Sequence, residues 1–132
     1  MPYGFNDDKS KYELNAADYI IEQGQSGDWF YRKWNSGIAE CFGSFDFTDS
    51  FSKAGNGWYS SVHHHDFPSG LFNAIPIACS ISGFGNYGFA IEYGGSSSAT
   101  STQSYYLMRA EGNTSTDINA TIGVIAKGRW RN

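Results

Sequence analysis

With 132 residues, a net charge of −4 and aromatics at 17%, the chain is sized for one domain, which excludes a multidomain enzyme. The acidic balance leaves no electrostatic reason to hold DNA or RNA, whose affinity rests on neutralising phosphates with Lys and Arg. Gly contributes 16 residues, Ser and Asn are abundant and Ile outnumbers Leu, a composition of strands and turns rather than helices.

No apolar run approaches the ~18 residues of a membrane span, and Met1–Asp8 lacks the basic and apolar regions of a secretory signal. The expectation is synthesis in the cytoplasm without membrane insertion. Cys41 and Cys79 lie far apart with no CxxC spacing and read as two reduced, buried thiols.

Residues 1–16 hold Asp7, Asp8, Lys9, Lys11 and Glu13 with little apolar periodicity and read as an N-terminal arm that admits a short helix over 9–18. Residues 17–132 form one domain. Its first strand candidate is 18–23, closed by Gly24-Gln25-Ser26-Gly27. The runs 28–34 and 37–42 flank Asn35-Ser36-Gly37, whose residues tolerate the positive φ of a tight turn, and form the strongest hairpin in the sequence. A separate strand over 44–49 sets Phe45 and Phe47 against Asp46 and Thr48. Ile75, Ile77, Cys79 and Ile81 alternate with Pro76, Ala78, Ser80 and Ser82, a strand that starts at Pro76 or lies at an edge. Tyr87, Phe89, Ile91 and Tyr93 alternate in turn, and 104–109 follows a Ser-rich loop. The last strand sets Ile118, Ala120, Ile122, Val124 and Ala126 against Asp117, Asn119, Thr121 and Lys127. About eight strands with short turns predict an all-β, antiparallel β-sandwich. The expected core is Trp29, Tyr31, Ile38, Cys41, Ile75, Ile77, Cys79, Ile81, Phe89, Ile91, Ile122 and Val124.

Several patterns imitate chemistry. Gly83–Gly88 matches GxGxxG, but a strand follows where pyrophosphate binding needs a helix N-terminus, so the glycines read as a hairpin loop. Asn113-Thr114-Ser115 and Asn119-Ala120-Thr121 fit a glycosylation sequon that has meaning only in a secretory pathway. His63-His64-His65, on a strand over 57–65, would place His63 and His65 on one face. Two imidazoles are too few for a closed site, whereas three chains around an axis would supply six nitrogens for a transition metal; the plainer reading is ordinary surface histidines and no cofactor. There is no nucleophile elbow and no HExxH. Asp46, Asp49, Asp66, Glu40 and Glu92 are ordinary acids on strand faces, and enzymatic activity is not expected. Trp58, Tyr59, Tyr87, Tyr93, Tyr105 and Tyr106 exceed the needs of a small core; surplus aromatics serve a subunit interface or a platform for sugars, for which Trp58, Tyr59, Tyr87 and Tyr93 are the candidates.

Ile21-Glu22-Gln23-Gly24, Gly27-Asp28-Trp29, Tyr31-Arg32-Lys33-Trp34-Asn35-Ser36-Gly37 and Ala39-Glu40-Cys41 resemble a block found in tail-fibre and minor structural proteins of phages and prophages of Gram-positive bacteria. Phe67-Pro68-Ser69-Gly70-Leu71-Phe72 and Gly128-Arg129-Trp130-Arg131 resemble two further motifs of that family, and Tyr3–Lys11 resembles the start of short phage structural reading frames. The family has Trp where this chain has Phe42, and Lys where it has Arg131. The resemblance implies a β-rich C-terminal head domain, usually trimeric, made in the bacterial cytoplasm and assembled with other tail proteins on the virion, that binds a host-surface saccharide or protein without catalysis. A fibre-borne carbohydrate depolymerase and a ligand-free structural component are the alternatives. The resemblance nominates no binding residues.

Overall fold

The computed structural model describes residues 17–55, 57–85, 89–92, 98–110 and 117–132. The expected arm over 1–16 lies outside the described residues, as do Tyr87, Tyr93 and the side chains of Phe89 and Ile91.

The fold is all-β, with nine strands and no helix among the described residues. The strands are β1 (Ile20–Ser26), β2 (Trp29–Trp34), β3 (Ile38–Ser50), β4 (Ser52–Ala54), β5 (Gly57–Tyr59), β6 (Ala78–Gly85), β7 (Phe89–Glu92), β8 (Tyr105–Ala110) and β9 (Asp117–Arg129). A five-stranded sheet runs β1-β2-β3-β9-β6 and a four-stranded sheet β4-β5-β8-β7. Every pairing is antiparallel.

The two long strands, β3 and β9, pair along their whole length from Ile38↔Arg129 to Ser50↔Asp117. Period-2 alternation then sorts their side chains. Ala39, Cys41, Phe47, Ala120, Ile122, Val124 and Ala126 are buried, and Tyr105 and Leu107 of β8 join the same core. The connection from β5 to β6 adds Phe67, Leu71 and Phe72.

The expected hairpin forms as β2 and β3, with Gly37 at φ 96° in its turn. The expected break between 42 and 44 does not occur. Gly43 continues β3 and lies on its inward face, where a Cβ would come within 2.9 Å of both Phe45 and Trp29. The glycine there is a packing requirement rather than a turn: Trp29 and Phe45 meet edge to face with centroids 5.0 Å apart over it.

Two core expectations are overturned. Ile75 and Ile77 are 59% and 72% exposed, because the strand and its pairing with β9 start only at Ala78, so the residues ahead of it lie outside the ladder that turns Cys79 and Ile81 inward. Cys79 and Ile81 do pack against the core, while Tyr31 and Ile38 are half-buried. Both cysteines are free thiols. Cys41 and Cys79 each pair with Ala126 from opposite sides, so they stand two strands apart, roughly 9–10 Å, beyond disulfide reach. Burial, followed by the influence of Cys79 and Glu40, pushes the Cys41 thiol up to about 12.

Candidate functional site

The blocks ending at Trp34–Gly37 and Gly128–Arg131 converge at one end of the five-stranded sheet, Gly27–Trp29 lies at the other end of β2, and Tyr3–Lys11 lies outside the described residues. The β2–β3 turn is held from one side by Asp18, whose carboxylate accepts from Ser36 N at 3.0 Å and Ser36 Oγ at 2.5 Å. From the other side Trp130 Nε1 donates to Trp34 O at 2.8 Å, Arg129 Nη2 to Ser36 O at 3.2 Å, and Arg131 Nη2 to Asn35 O. The Trp130 ring carries the Arg131 guanidinium 4.6 Å from its centroid. The Phe67–Phe72 motif packs nearby: Phe67 and Phe72 meet edge to face at 5.1 Å, and a Cβ on Gly128 would strike Phe72 and Pro76. Trp29 Nε1 donates to Asp66 O at 2.8 Å. These residues build the frame, and their donors and acceptors are spent on one another.

The histidines are not on a continuation of β5, which ends at Tyr59; His63 joins β8 through an isolated bridge to Tyr105. His63 and His65 do share a face, directed at the molecule's own interior. His65 stacks on Phe45 at 4.1 Å, and its Nε2 lies 2.6 Å from the Tyr105 hydroxyl. His63 lies 4.4 Å from the Phe47 ring centroid, and its Nε2 is 3.0 Å from Asp49 Oδ2. The Nε2 atom of each imidazole is thus engaged within the chain. Burial, followed by the neighbouring His63 and His64, lowers the His65 pKa and favours its neutral form.

Asp49, Ser61 and His63 have the composition of a catalytic triad without its geometry. Ser61 Oγ donates directly to Asp49 Oδ2 at 2.5 Å, and both contacts of the imidazole fall on the same Nε2. A relay needs the acid on one ring nitrogen and the hydroxyl on the other. Burial raises the Asp49 carboxyl, but hydrogen bonds from Ser61, His63 and Ser50 outweigh it and hold the group at about 2. The cluster is a structural tie between β3 and the segment after β5.

Of the expected aromatic platform, Trp58 and Tyr59 point to opposite faces, as neighbours on a strand must. Trp58 packs against the core with its indole N–H buried. Tyr59 faces outward and meets Tyr106, centroids 5.8 Å apart. The two therefore do not form one surface.

A surface that sequence reasoning missed lies on the outer face of the five-stranded sheet. Cross-strand pairing aligns Phe30, Phe42 and Ile125 in one row across β2, β3 and β9. Phe30 and Ile125 are 49% and 61% exposed, and the Phe30 and Phe42 rings are stacked with centroids 5.6 Å apart. On one side of this ridge runs a charged row in which Glu40 takes both Arg32 (3.3 Å) and Lys127 (3.7 Å). On the other side Ser44, Gly123 and Ser82 form the floor of a trough of about 350 Å³, with Asp28 at its end. The next row, Asp46 and Thr121, borders it. The one signal available in the sequence was Ile125 occupying a polar slot in the alternation of β9.

No family model and no curated protein matches the sequence. Among solved structures, the chain is similar to an N-truncated R1-type pyocin tail fibre, with a TM-score of 0.50 and 14% identity over 95% of this chain and 98% of that one. The fold is tail-fibre-like. A longer C-terminal fragment of the P. aeruginosa R1 pyocin fibre also matches, with a TM-score of 0.45 and 14% identity over 95% of this chain and 32% of that one.

Proposed function

We propose that the chain is the head domain of a phage or prophage tail fibre, made in the bacterial cytoplasm and assembled with other tail proteins on the virion, where it attaches to a host cell-surface receptor, a saccharide, without catalysis or a resident cofactor. The tail-fibre-like fold supports the attachment role, and the sequence blocks around Tyr31–Gly37 and Gly128–Arg131 support an origin in phages of Gram-positive bacteria. The observation that carries receptor binding is the row Phe30, Phe42 and Ile125, three large apolar side chains turned away from the core on one sheet face. The three-fold assembly expected from the family has a separate surface to use, the outer face of the four-stranded sheet around Tyr59, Tyr106 and Met108.

The test is adsorption of fluorescently labelled protein to intact cells of the host strain, competed with purified cell-wall polysaccharide, alongside a reducing-sugar assay on the same polysaccharide. Saturable adsorption that the polysaccharide blocks, with no sugar released, is the expected result. Sugar release at a rate above buffer would replace this reading with the depolymerase, and absence of adsorption would replace it with a ligand-free tail component.

A further inference from the structure

The trough beside the aromatic ridge has the make-up of a small saccharide site. One wall is apolar and aromatic, suited to the C–H face of a pyranose, and the floor offers only hydroxyls and backbone. Rows four residues apart along β3 and β9 stand roughly 13 Å from each other, so the span from Phe42 to Asp46 and from Ile125 to Thr121 accommodates one ring with its substituents. Gly123 makes this space. A Cβ built there meets nothing nearer than Ser82 O at 3.8 Å and Ser82 Oγ at 3.9 Å, and its φ is not in the left-handed region. The glycine is thus required neither by the fold nor by a close neighbour, in contrast to Gly43 on the inner face.

Charge narrows the ligand. Asp28 and Asp46 are exposed at the end and far side of the trough, and neither carboxylate has a hydrogen bond or ion pair among the described residues. Of the cations on this face, Arg32 and Lys127 both pair with Glu40 on the side of the ridge away from the trough, the Arg32 guanidinium lying 5.6 Å from the Phe42 ring centroid, and Arg129 lies further along β9 and donates to Ser36 O. The trough therefore has one carboxylate, Asp28, at its end and a second, Asp46, in the row just beyond its floor, beside an apolar wall, which matches a sugar carrying an ammonium group and disfavours an anionic one.

We propose that the trough bounded by Phe30, Phe42 and Ile125, floored by Ser44, Gly123 and Ser82, and flanked by Asp28 and Asp46 is a binding site for an amino sugar. The ring stacks on Phe42 and Phe30, and the ammonium group faces the carboxylates. This assignment rests on the receptor-binding reading above and names its ligand.

Calorimetric titration of the whole chain with a glucosamine oligomer, its N-acetylated counterpart and a galacturonate oligomer tests it. The amine form binds best and the acid form least. Gly123→Val fills the floor on a central strand where a β-branched residue is well tolerated, and lowers affinity by about tenfold or more with thermal stability equal to or above that of the native protein. Phe42→Ala, which removes the stacking surface, lowers affinity likewise. Asp28→Asn with Asp46→Asn keeps binding to the acetylated oligomer and loses the preference for the amine. Unaltered affinity in Gly123→Val, a preference for the acid, or no binding of any oligomer by the native protein overturns the proposal, as does a change of solution mass in Gly123→Val, which would make the trough a subunit contact. If the native protein adsorbs to host cells and Gly123→Val adsorbs equally, the amino-sugar site fails while receptor binding stands. If the native protein does not adsorb at all, receptor binding itself fails.

Discussion

Two glycines on neighbouring strands, placed on opposite faces, give the sharpest test of how the five-stranded sheet is oriented. Replacing Gly43 by Ala introduces a Cβ 2.9 Å from Phe45 Cε2 and Cζ and from Trp29 Cε3, whereas carbon atoms rest comfortably at about 3.5–4.0 Å. Both rings must retreat, and overpacking of this kind costs about 1–3 kcal/mol. Replacing Gly123 by Ala places a Cβ in open space, with nothing nearer than 3.8 Å. Each substitution also removes the excess backbone entropy of glycine, a gain of about 0.5–1 kcal/mol in a strand. That gain cancels in the comparison, so the difference between the two variants isolates the clash at about 1–3 kcal/mol, with Gly43→Ala the less stable and Gly123→Ala equal to or above the native protein. Urea denaturation followed by tryptophan fluorescence measures it at one fixed protein concentration, so that any self-association contributes equally. A difference below about 0.5 kcal/mol would mean that Gly43 does not face Trp29 and Phe45, and the inward and outward rows of β3 would have to be exchanged.

The same sheet predicts that Ile122→Ala, at a fully buried site on β9, costs about 2–5 kcal/mol in urea denaturation, whereas Ile77→Ala, largely exposed ahead of β6, stays within about 0.5 kcal/mol. Because hydrogen bonds hold the folded Asp49 carboxyl at about 2, below its ordinary 3.8, the tie it makes to Ser61 and His63 is fully present above pH 3.8 and is lost as pH falls through about 2. Thermal melts across that window should show native stability falling faster than that of Asp49→Asn, by on the order of 1 kcal/mol, and parallel curves would deny the tie. On the outer face of the four-stranded sheet, Tyr106→Lys should reduce a native trimer to monomers in light scattering at micromolar concentration; a native protein of monomer mass would remove both the trimer and the six-imidazole metal site that depends on it.

Local signals in the sequence carried the fold wherever the constraint was itself local. Asn35-Ser36-Gly37 between two apolar runs specifies the β2–β3 hairpin, and alternation over Ile118–Lys127 specifies β9 with its correct buried face. Errors arose where a partner distant in sequence decides the outcome. Gly43 looks like a break because glycine usually is one, yet the rings of Trp29 and Phe45 are what require it. Ile75 and Ile77 continue the alternation of Cys79 and Ile81, but alternation describes a strand only where pairing holds it, and although β9 continues to Arg129 the pairing with β6 stops at Ala78 opposite Lys127. The run from Trp58 to His65 likewise leaves the regular ladder after Tyr59 and rejoins β8 only at the isolated bridge of His63 to Tyr105.

The division between frame and surface explains why motif blocks and binding residues do not coincide. The stretches that resemble tail-fibre proteins are rich in Trp, Arg and Gly, residue types that invite a functional reading. Most of their polar groups are nevertheless satisfied within the chain: Trp34 and Ser36 supply carbonyls, Trp130 and Arg129 supply the donors, and Gly37 leaves room where a Cβ would lie 2.9 Å from Arg129 Nη2. Groups spent on each other have nothing left for a ligand. The trough has the opposite character, since Gly123 has space to spare and the carboxylates of Asp28 and Asp46 have no partner among the described residues. Its members come from β2, β3, β6 and β9, and only the register of β9 between β3 and β6 sets Ser44, Gly123 and Ser82 side by side. Exchanging such unpartnered outward residues leaves the frame intact, because the outward slots of β3 and β9 make no demand on the core behind them, so under the proposed function a change of ligand requires no refolding.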